Sequence, residues 1–390
     1  MRIYLKKGRE APVLRGHPWI FSGAIESTKG QSDDAGVADV FDSAGGFLAR
    51  GVYSPKSQIR VRILTWRDQP IDREFFSHRI QTALNLRTRY LSPGTDGYRL
   101  VNGEGDFLPA LIVDRYGEYL VCQFLTAGMD RFKDLIAGCL SELPFCKALF
   151  EKSEGRVRDE EGLEPSVGAL YGEAPPERVV IEENGYRFVV DISTGQKTGF
   201  FLDHRDNREF VGSLARNASV LNCFCYSGAF SVYAFGGGAA RVVSLDSSRP
   251  ALNLTRENLE NNGFAGSAGE LLKADAFTYL KETEARYDLI VLDPPSLARK
   301  GSDVAAATGG YKFLNLHAFR HLNPGAVLAT FSCSQHLSAD LFQKVVFGAA
   351  VDARRRVQLL KRLGQPVDHP VSLHHPEGEY LKGLVLRMLD

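Results

Sequence analysis

The chain has 390 residues, 44% of them hydrophobic, and its 47 Lys+Arg are matched by 47 Asp+Glu. That length and apolar content support two or three packed domains and exclude a disordered chain. The opening Met1-Arg2-Ile3-Tyr4-Leu5-Lys6-Lys7 lacks an apolar signal core and no later stretch is long and apolar enough to span a bilayer, so a cytoplasmic protein with no membrane partner is expected.

Charge is distributed unevenly. Residues 1–67 carry eleven basic against six acidic side chains, an excess of five, whereas residues 151–183 carry ten acidic against four basic. A basic module on a neutral chain attracts phosphates locally, although ordinary surface variation produces asymmetry of the same kind. Cys122, Cys139, Cys146, Cys223, Cys225 and Cys333 form no C-x-x-C pair and are too sparse for a disulfide framework. Reduced thiols and no metal site are expected.

In chain order, residues 38–42, 47–53 and 59–64 read as short strands divided by Gly-rich turns, the pattern of a small β-barrel over residues 1–67. A helix follows over residues 72–90, where Phe75, Phe76, Ile80, Ala83 and Leu84 recur at helical spacing. Strands over 110–113 and 119–124 read as a hairpin joined through Asp114-Arg115-Tyr116-Gly117, giving an α+β middle domain over residues 68–184. The acidic segment 151–176, poor in apolar residues, reads as an exposed excursion. A hairpin turning at Asn184-Gly185 opens the last domain, residues 185–390. There, apolar runs at 218–221, 241–245, 287–292 and 325–330 alternate with helical stretches, as in an α/β doubly wound, Rossmann-like sheet of buried parallel strands.

In such sheets ligands gather at the carboxyl ends of the strands. The loop Asn222-Cys223-Phe224-Cys225-Tyr226-Ser227-Gly228 leads into a helix with one glycine and without G-x-G-x-x-G spacing, which disfavours NAD and suits S-adenosylmethionine. Asp246-Ser247 ends the second strand, where a carboxylate accepts from ribose hydroxyls; Asp246 as a helix cap is the alternative. Asp275-Ala276 suits adenine recognition and helix capping equally. Phe201, Asp203 and Arg205 suit either the methionine end of the cofactor or plain helix-start packing.

Asp293-Pro294-Pro295-Ser296 follows a buried strand, and its prolines stiffen a polar edge able to grip a planar base. Cys333 ends the next strand, near Asp293 if the two strands pair. A thiolate there can add to carbon 6 of cytosine and make carbon 5 nucleophilic, although a buried cysteine is more often a small hydrophobe.

Together with Gly16-His17-Pro18-Trp19-Ile20-Phe21, Gly103-Glu104-Gly105-Asp106, the run from Gly195-Gln196-Lys197 through Asp203-His204-Arg205, Phe331-Ser332-Cys333-Ser334 and Pro376-Glu377-Gly378-Glu379-Tyr380-Leu381-Lys382-Gly383, these motifs resemble, over essentially the whole chain, the bacterial 23S rRNA cytosine-C5 methyltransferases of the RlmI type. The resemblance implies a PUA RNA-binding module over residues 1–66 and a class I methyltransferase domain. It further implies that Asp246, Asp275 and the 222–228 loop hold S-adenosylmethionine, that Cys333 is the nucleophile, and that RNA, 23S rRNA in particular, is the partner. The chain departs from the pattern at His204, where glutamine is expected, and no second cysteine accompanies Asp293-Pro294-Pro295-Ser296 to assist product release. Methylation of an exocyclic amine through the Asp-Pro-Pro edge, and a non-catalytic PUA RNA-binding factor, are the competing readings. The residues leave open the target nucleotide and the choice between monomer and homodimer.

Overall fold

The computed structural model describes all residues except 31–34, 194, 196–197, 267–268 and 299. The sequence motif at Gln196-Lys197 therefore lies outside the described residues. Two compact units emerge: Met1–Ile181 with Val190–Leu202 and Val367–Gly378, and Glu182–Val189 with Asp203–Pro366 and Glu379–Asp390. No helix among the described residues is long and apolar enough to cross a membrane.

The first unit opens with a six-stranded sheet ordered Trp19–Phe21, Ile59–Thr65, Phe47–Tyr53, Gly36–Phe41, Arg2–Leu5, Ile25–Lys29. Alternate residues Ile3, Leu5, Ala38, Val40, Val61 and Ile63 fill its interior, as period-two strands require. A second, five-stranded sheet runs Ser166–Tyr171, Ala148–Ser153, Tyr119–Phe124, Leu111–Tyr116, Gly97–Asn102. Helix Arg73–Tyr90 buries Phe76, Ile80, Ala83, Leu84 and Arg87 on one face, and its first turn is capped by Asp72, which accepts from Phe75 N at 3.0 Å.

The acidic segment 151–176 is largely exposed, as expected, but it is built of regular elements and anchored by buried charges. Strand Ala148–Ser153, helix Arg156–Glu161 and strand Ser166–Tyr171 occupy it, and Glu151, Lys152, Arg158 and Glu161 are buried. Its charges are paired within the unit: Arg62 with Glu161 at 3.1 Å, Lys133 with Glu151 at 2.9 Å, Arg158 with Asp130 at 2.9 Å. Paired charges can be buried without apolar content, and composition alone carries no sign of that pairing.

The anticipated hairpin forms from strands Arg178–Glu183 and Tyr186–Asp191. Asn184 and Gly185 both take positive φ, 50° and 81°, as a type I′ turn demands.

The second unit holds a seven-stranded sheet whose strands are, in chain order, β1 Ser219–Cys223, β2 Arg241–Asp246, β3 Gly269–Lys273, β4 Tyr287–Leu292, β5 Leu322–Ser332, β6 Val357–Leu363 and β7 Lys382–Met388. Their spatial order is β3-β2-β1-β4-β5-β7-β6. The first five are parallel, and β7 runs antiparallel between β5 and β6. Order reverses between β1 and β4, which leaves a crevice at the carboxyl edge. Val243, Leu245, Ile290, Leu292 and Leu328 are fully or almost fully buried, the burial of a sheet covered on both faces.

Candidate active site

At the end of β1 the chain turns sharply. Phe224, Tyr226 and Gly228 take positive φ of 59°, 47° and 71°, and left-handed backbone at two aromatic residues is held only where the surroundings enforce it. Those surroundings are visible. Cys225 N donates to Leu245 O at 3.0 Å, Asn258 Nδ2 to Ser227 O at 2.8 Å, and Thr255 Oγ1 to Tyr226 O at 2.9 Å. Gly228 is required for a second reason: a Cβ there would overlap the Thr255 side chain.

The Asp246 carboxylate ends β2 and is locked to this loop, Oδ2 accepting from Tyr226 N at 3.0 Å and Oδ1 from Ser248 N at 2.9 Å. It is not the helix cap. Ser248 caps helix Arg249–Asn261 instead, and Ser247 is exposed beside it. Asp275, exposed at the end of β3, does cap helix Ala276–Glu282, accepting from Thr278 N at 2.8 Å and Thr278 Oγ1 at 2.9 Å through Oδ1. Asn222 is buried, with Nδ2 donating to Ser231 Oγ at 2.9 Å, and Oδ1 has no partner among the described residues. Phe201 is half-buried; Asp203 and Arg205 are buried, Asp203 Oδ2 accepting from Tyr380 Oη at 2.6 Å.

Beyond β4, Asp293 remains partly open, its side chain 23% exposed. Its Oδ1 lies 3.3 Å from Nε2 of the buried His204. Asn207 Nδ2 donates to Gly364 O at 3.0 Å and sits 3.2 Å from His204 Nδ1. That nitrogen is thereby the donor to Nδ1, which leaves the ring proton on Nε2, facing Asp293. Phe230 and Phe331 pack edge-on against the ring. The residue that departs from the expected glutamine is thus a neighbour of the Asp-Pro-Pro carboxylate.

Strands β4 and β5 are adjacent, with Leu292 opposite Thr330, so Asp293 and Cys333 emerge from neighbouring strand tips. Ser334 ties the two tips together. Its Oγ lies 3.1 Å from Ser296 Oγ, accepts from Ala298 N at 3.1 Å and meets Tyr311 Oη at 2.9 Å. Cys333 is one of two partly exposed cysteines; the other, Cys146, belongs to the first unit. Burial pushes the Cys146 and Cys225 thiols up, to about 11 and about 12 respectively, and also raises those of Cys122, Cys139 and Cys223. Five of the six thiols are therefore poor nucleophiles.

Lys382, the first residue of β7, pairs with Ser332 across the sheet. Its buried Nζ donates to Ser334 O at 2.6 Å and Tyr380 O at 2.7 Å, and desolvation lowers the amine to about 8. The sequence marks Lys382 only as part of the motif at residues 376–383 and does not mark Tyr311, because only the β5–β7 pairing and helix Val304–His321 bring them to Cys333. No group of three or more side chains able to hold a metal occurs among the described residues.

Residues 156–379 match the S-adenosylmethionine-dependent methyltransferase family model, and residues 3–66 match that of the PUA-like domain. The ribosomal RNA large subunit methyltransferase I of Tolumonas auensis is 46% identical over 99% of each chain, and that of Aliivibrio fischeri strain ES114 is 44% identical over the same shares. The chain belongs to this methyltransferase family.

Its fold is accordingly a class I methyltransferase domain preceded by a PUA-like domain. Two solved methyltransferases share it: one from Streptococcus mutans, 23% identical with a TM-score of 0.84, and one complexed with SAH, 24% identical with a TM-score of 0.86. Each covers 99% of this chain and is itself covered in full. The methyl donor of the family is S-adenosylmethionine, and the residues present fit it. A carboxylate fixed at the β2 tip, an unmatched buried carbonyl oxygen at Asn222 and a glycine-only turn at 228 are what a ribose-bearing, cationic group requires.

Proposed function

We propose that the substrate is RNA, that the methylated atom is carbon 5 of a cytosine in 23S rRNA in the cytoplasm, and that Cys333 forms a transient covalent bond to that base. The pairing of the β4 and β5 tips, which sets a partly exposed thiol beside a partly exposed carboxylate, carries the reading. The relatives' names supply the ribosomal RNA. In this assignment residues 1–67 form the RNA-binding module, 68–184 the middle domain and 185–390 the catalytic domain.

Asp246 and Ser247 would hold the ribose, Asp275 and Ala276 the adenine, and Phe201, Asp203, Arg205, Asn222, Tyr226 and Gly228 the remainder of the cofactor, with Asp293 bordering both cofactor and base. When bound, S-adenosylmethionine supplies an electrophilic methyl group. Asp293, steadied by His204, accepts from the exocyclic amine of the cytosine and holds the ring in the slot. The Cys333 thiolate adds to carbon 6, and the displaced π electrons make carbon 5 the nucleophile. Once carbon 5 carries the methyl, loss of its proton to a base or to water returns the electron pair to the ring and expels the sulfur. The prolines at 294 and 295 keep the edge rigid throughout.

Amine methylation through the same Asp-Pro-Pro edge leaves Cys333 without a role. Incubation with labelled S-adenosylmethionine and 23S rRNA from a strain lacking this enzyme, followed by nucleoside analysis, separates the readings. Label in 5-methylcytidine is expected. Label in an amine-methylated nucleoside would overturn the carbon-5 reading, and no label in any nucleoside would remove the RNA substrate.

A further inference from the structure

A thiol must lose its proton before it attacks, and the strand tips offer a specific acceptor. Lys382 is clamped from two sides, with Ser334 O and Tyr380 O occupying two of its three donor positions. Ser334 directly follows Cys333, so the clamp fixes the amine within one residue of the sulfur. Among the charges that act on Nζ, Cys333 is the strongest, ahead of Glu379.

We infer that Lys382 takes up the Cys333 thiol proton and, as an ammonium held by two carbonyls, keeps the sulfur as a thiolate ready for the pyrimidine. This rests on Cys333 being the nucleophile. The step is balanced: the S–H bond breaks, its electron pair stays on sulfur, and the proton joins the amine lone pair. When the sulfur is expelled at the end of the cycle it leaves as a thiolate, and the ammonium is still there to receive it.

Burial brings the amine down to about 8, into the range of an ordinary thiol, so transfer between the two has little energetic bias in either direction. The other titratable groups facing the pair do not compete. Burial raises the Tyr311 hydroxyl, on helix Val304–His321, and the nearby sulfur raises it further. Asp293 at the β4 tip is engaged by His204, and Glu379 is exposed. A lysine present only to satisfy two carbonyls would leave the reactivity of the thiol unchanged, and this distinguishes the two roles.

The test is the rate of Cys333 alkylation by iodoacetamide, read by peptide mass spectrometry on the full-length protein without RNA, for wild type and Lys382→Met. We expect Lys382→Met to slow labelling by ~5-fold or more at about pH 7, with the difference closing by about pH 9.5. Identical pH profiles in wild type and Lys382→Met would overturn the inference. Wild type provides an arm that needs no variant: Cys333 labelling levels off by about pH 8.5, and a rate still climbing steeply above that contradicts it. Alkylation requires no turnover, so failure here is distinct from failure of the covalent mechanism, which would appear as methyl transfer surviving Cys333→Ala.

Discussion

Gly228 shows how one residue fixes the backbone of the loop proposed to hold the cofactor. Its φ of 71° and the Thr255 side chain beside it both exclude a Cβ. Gly228→Ala should therefore cost about 1–3 kcal/mol of stability and weaken S-adenosylmethionine binding together, because the turn that carries Tyr226 must move. Thermal unfolding and calorimetric titration of the variant check this; unchanged affinity would detach the turn from the cofactor. The sequence marks this loop through its single glycine and marks Asp246 through its place after an apolar strand. It leaves open whether either aspartate is a cap, since a strand-end carboxylate and a helix N-cap look alike in sequence. Coordinates separate the two: Ser248 relieves Asp246 of capping, whereas Asp275 caps its own helix.

At the level of elements, the site depends on two parallel strands ending side by side. Ser334 joins the loop after β4 to the loop after β5 through Ser296, the Ala298 amide and Tyr311. Ser334→Ala leaves the buried Ala298 amide without its acceptor, while Ser296 keeps its bond to Ala298 O and Tyr311 its bond from Ser332, and should cost about 1–3 kcal/mol, with a larger loss in methylation than in cofactor affinity because only the reacting edge is loosened. Equal losses in both would place Ser334 in general stability. Strands and helices with clear periodicity, among them residues 72–90 and 287–292, are readable from sequence because burial imposes the period. The segment 151–176 is not, because Arg62, Lys133 and Asp130, which neutralise its charges, lie far away in the chain. Lys382 lies in a motif the sequence does mark, but its place beside Cys333 escapes sequence reading for the same reason: only an antiparallel strand inserted beside β5 delivers it there.

For the whole molecule, neutrality conceals a division of labour. The excess of basic residues in 1–67 belongs to the PUA-like module, while the residues proposed to react, Asp293 and Cys333, belong to the second unit. Replacing the exposed Lys6, Lys7 and Arg9 with alanine should weaken RNA binding and flatten its salt dependence, by about 0.7 in the log–log slope for each phosphate that is no longer neutralised, without altering S-adenosylmethionine affinity. An unchanged slope would mean that other parts of the molecule bind the phosphates.

The central claim is that Cys333 bonds to carbon 6 of a cytosine while Asp293 holds the ring. The most direct measurement uses 23S rRNA containing 5-fluorocytidine, since fluorine at carbon 5 cannot leave as the proton does and the adduct is trapped. Mass spectrometry of the digested complex should find a methylated fluorocytidine attached to the peptide bearing Cys333, and no such species with Cys333→Ala. A wild-type enzyme that methylates ordinary rRNA but forms no adduct with the fluorinated RNA, together with a Cys333→Ala variant that methylates normally, would contradict the account.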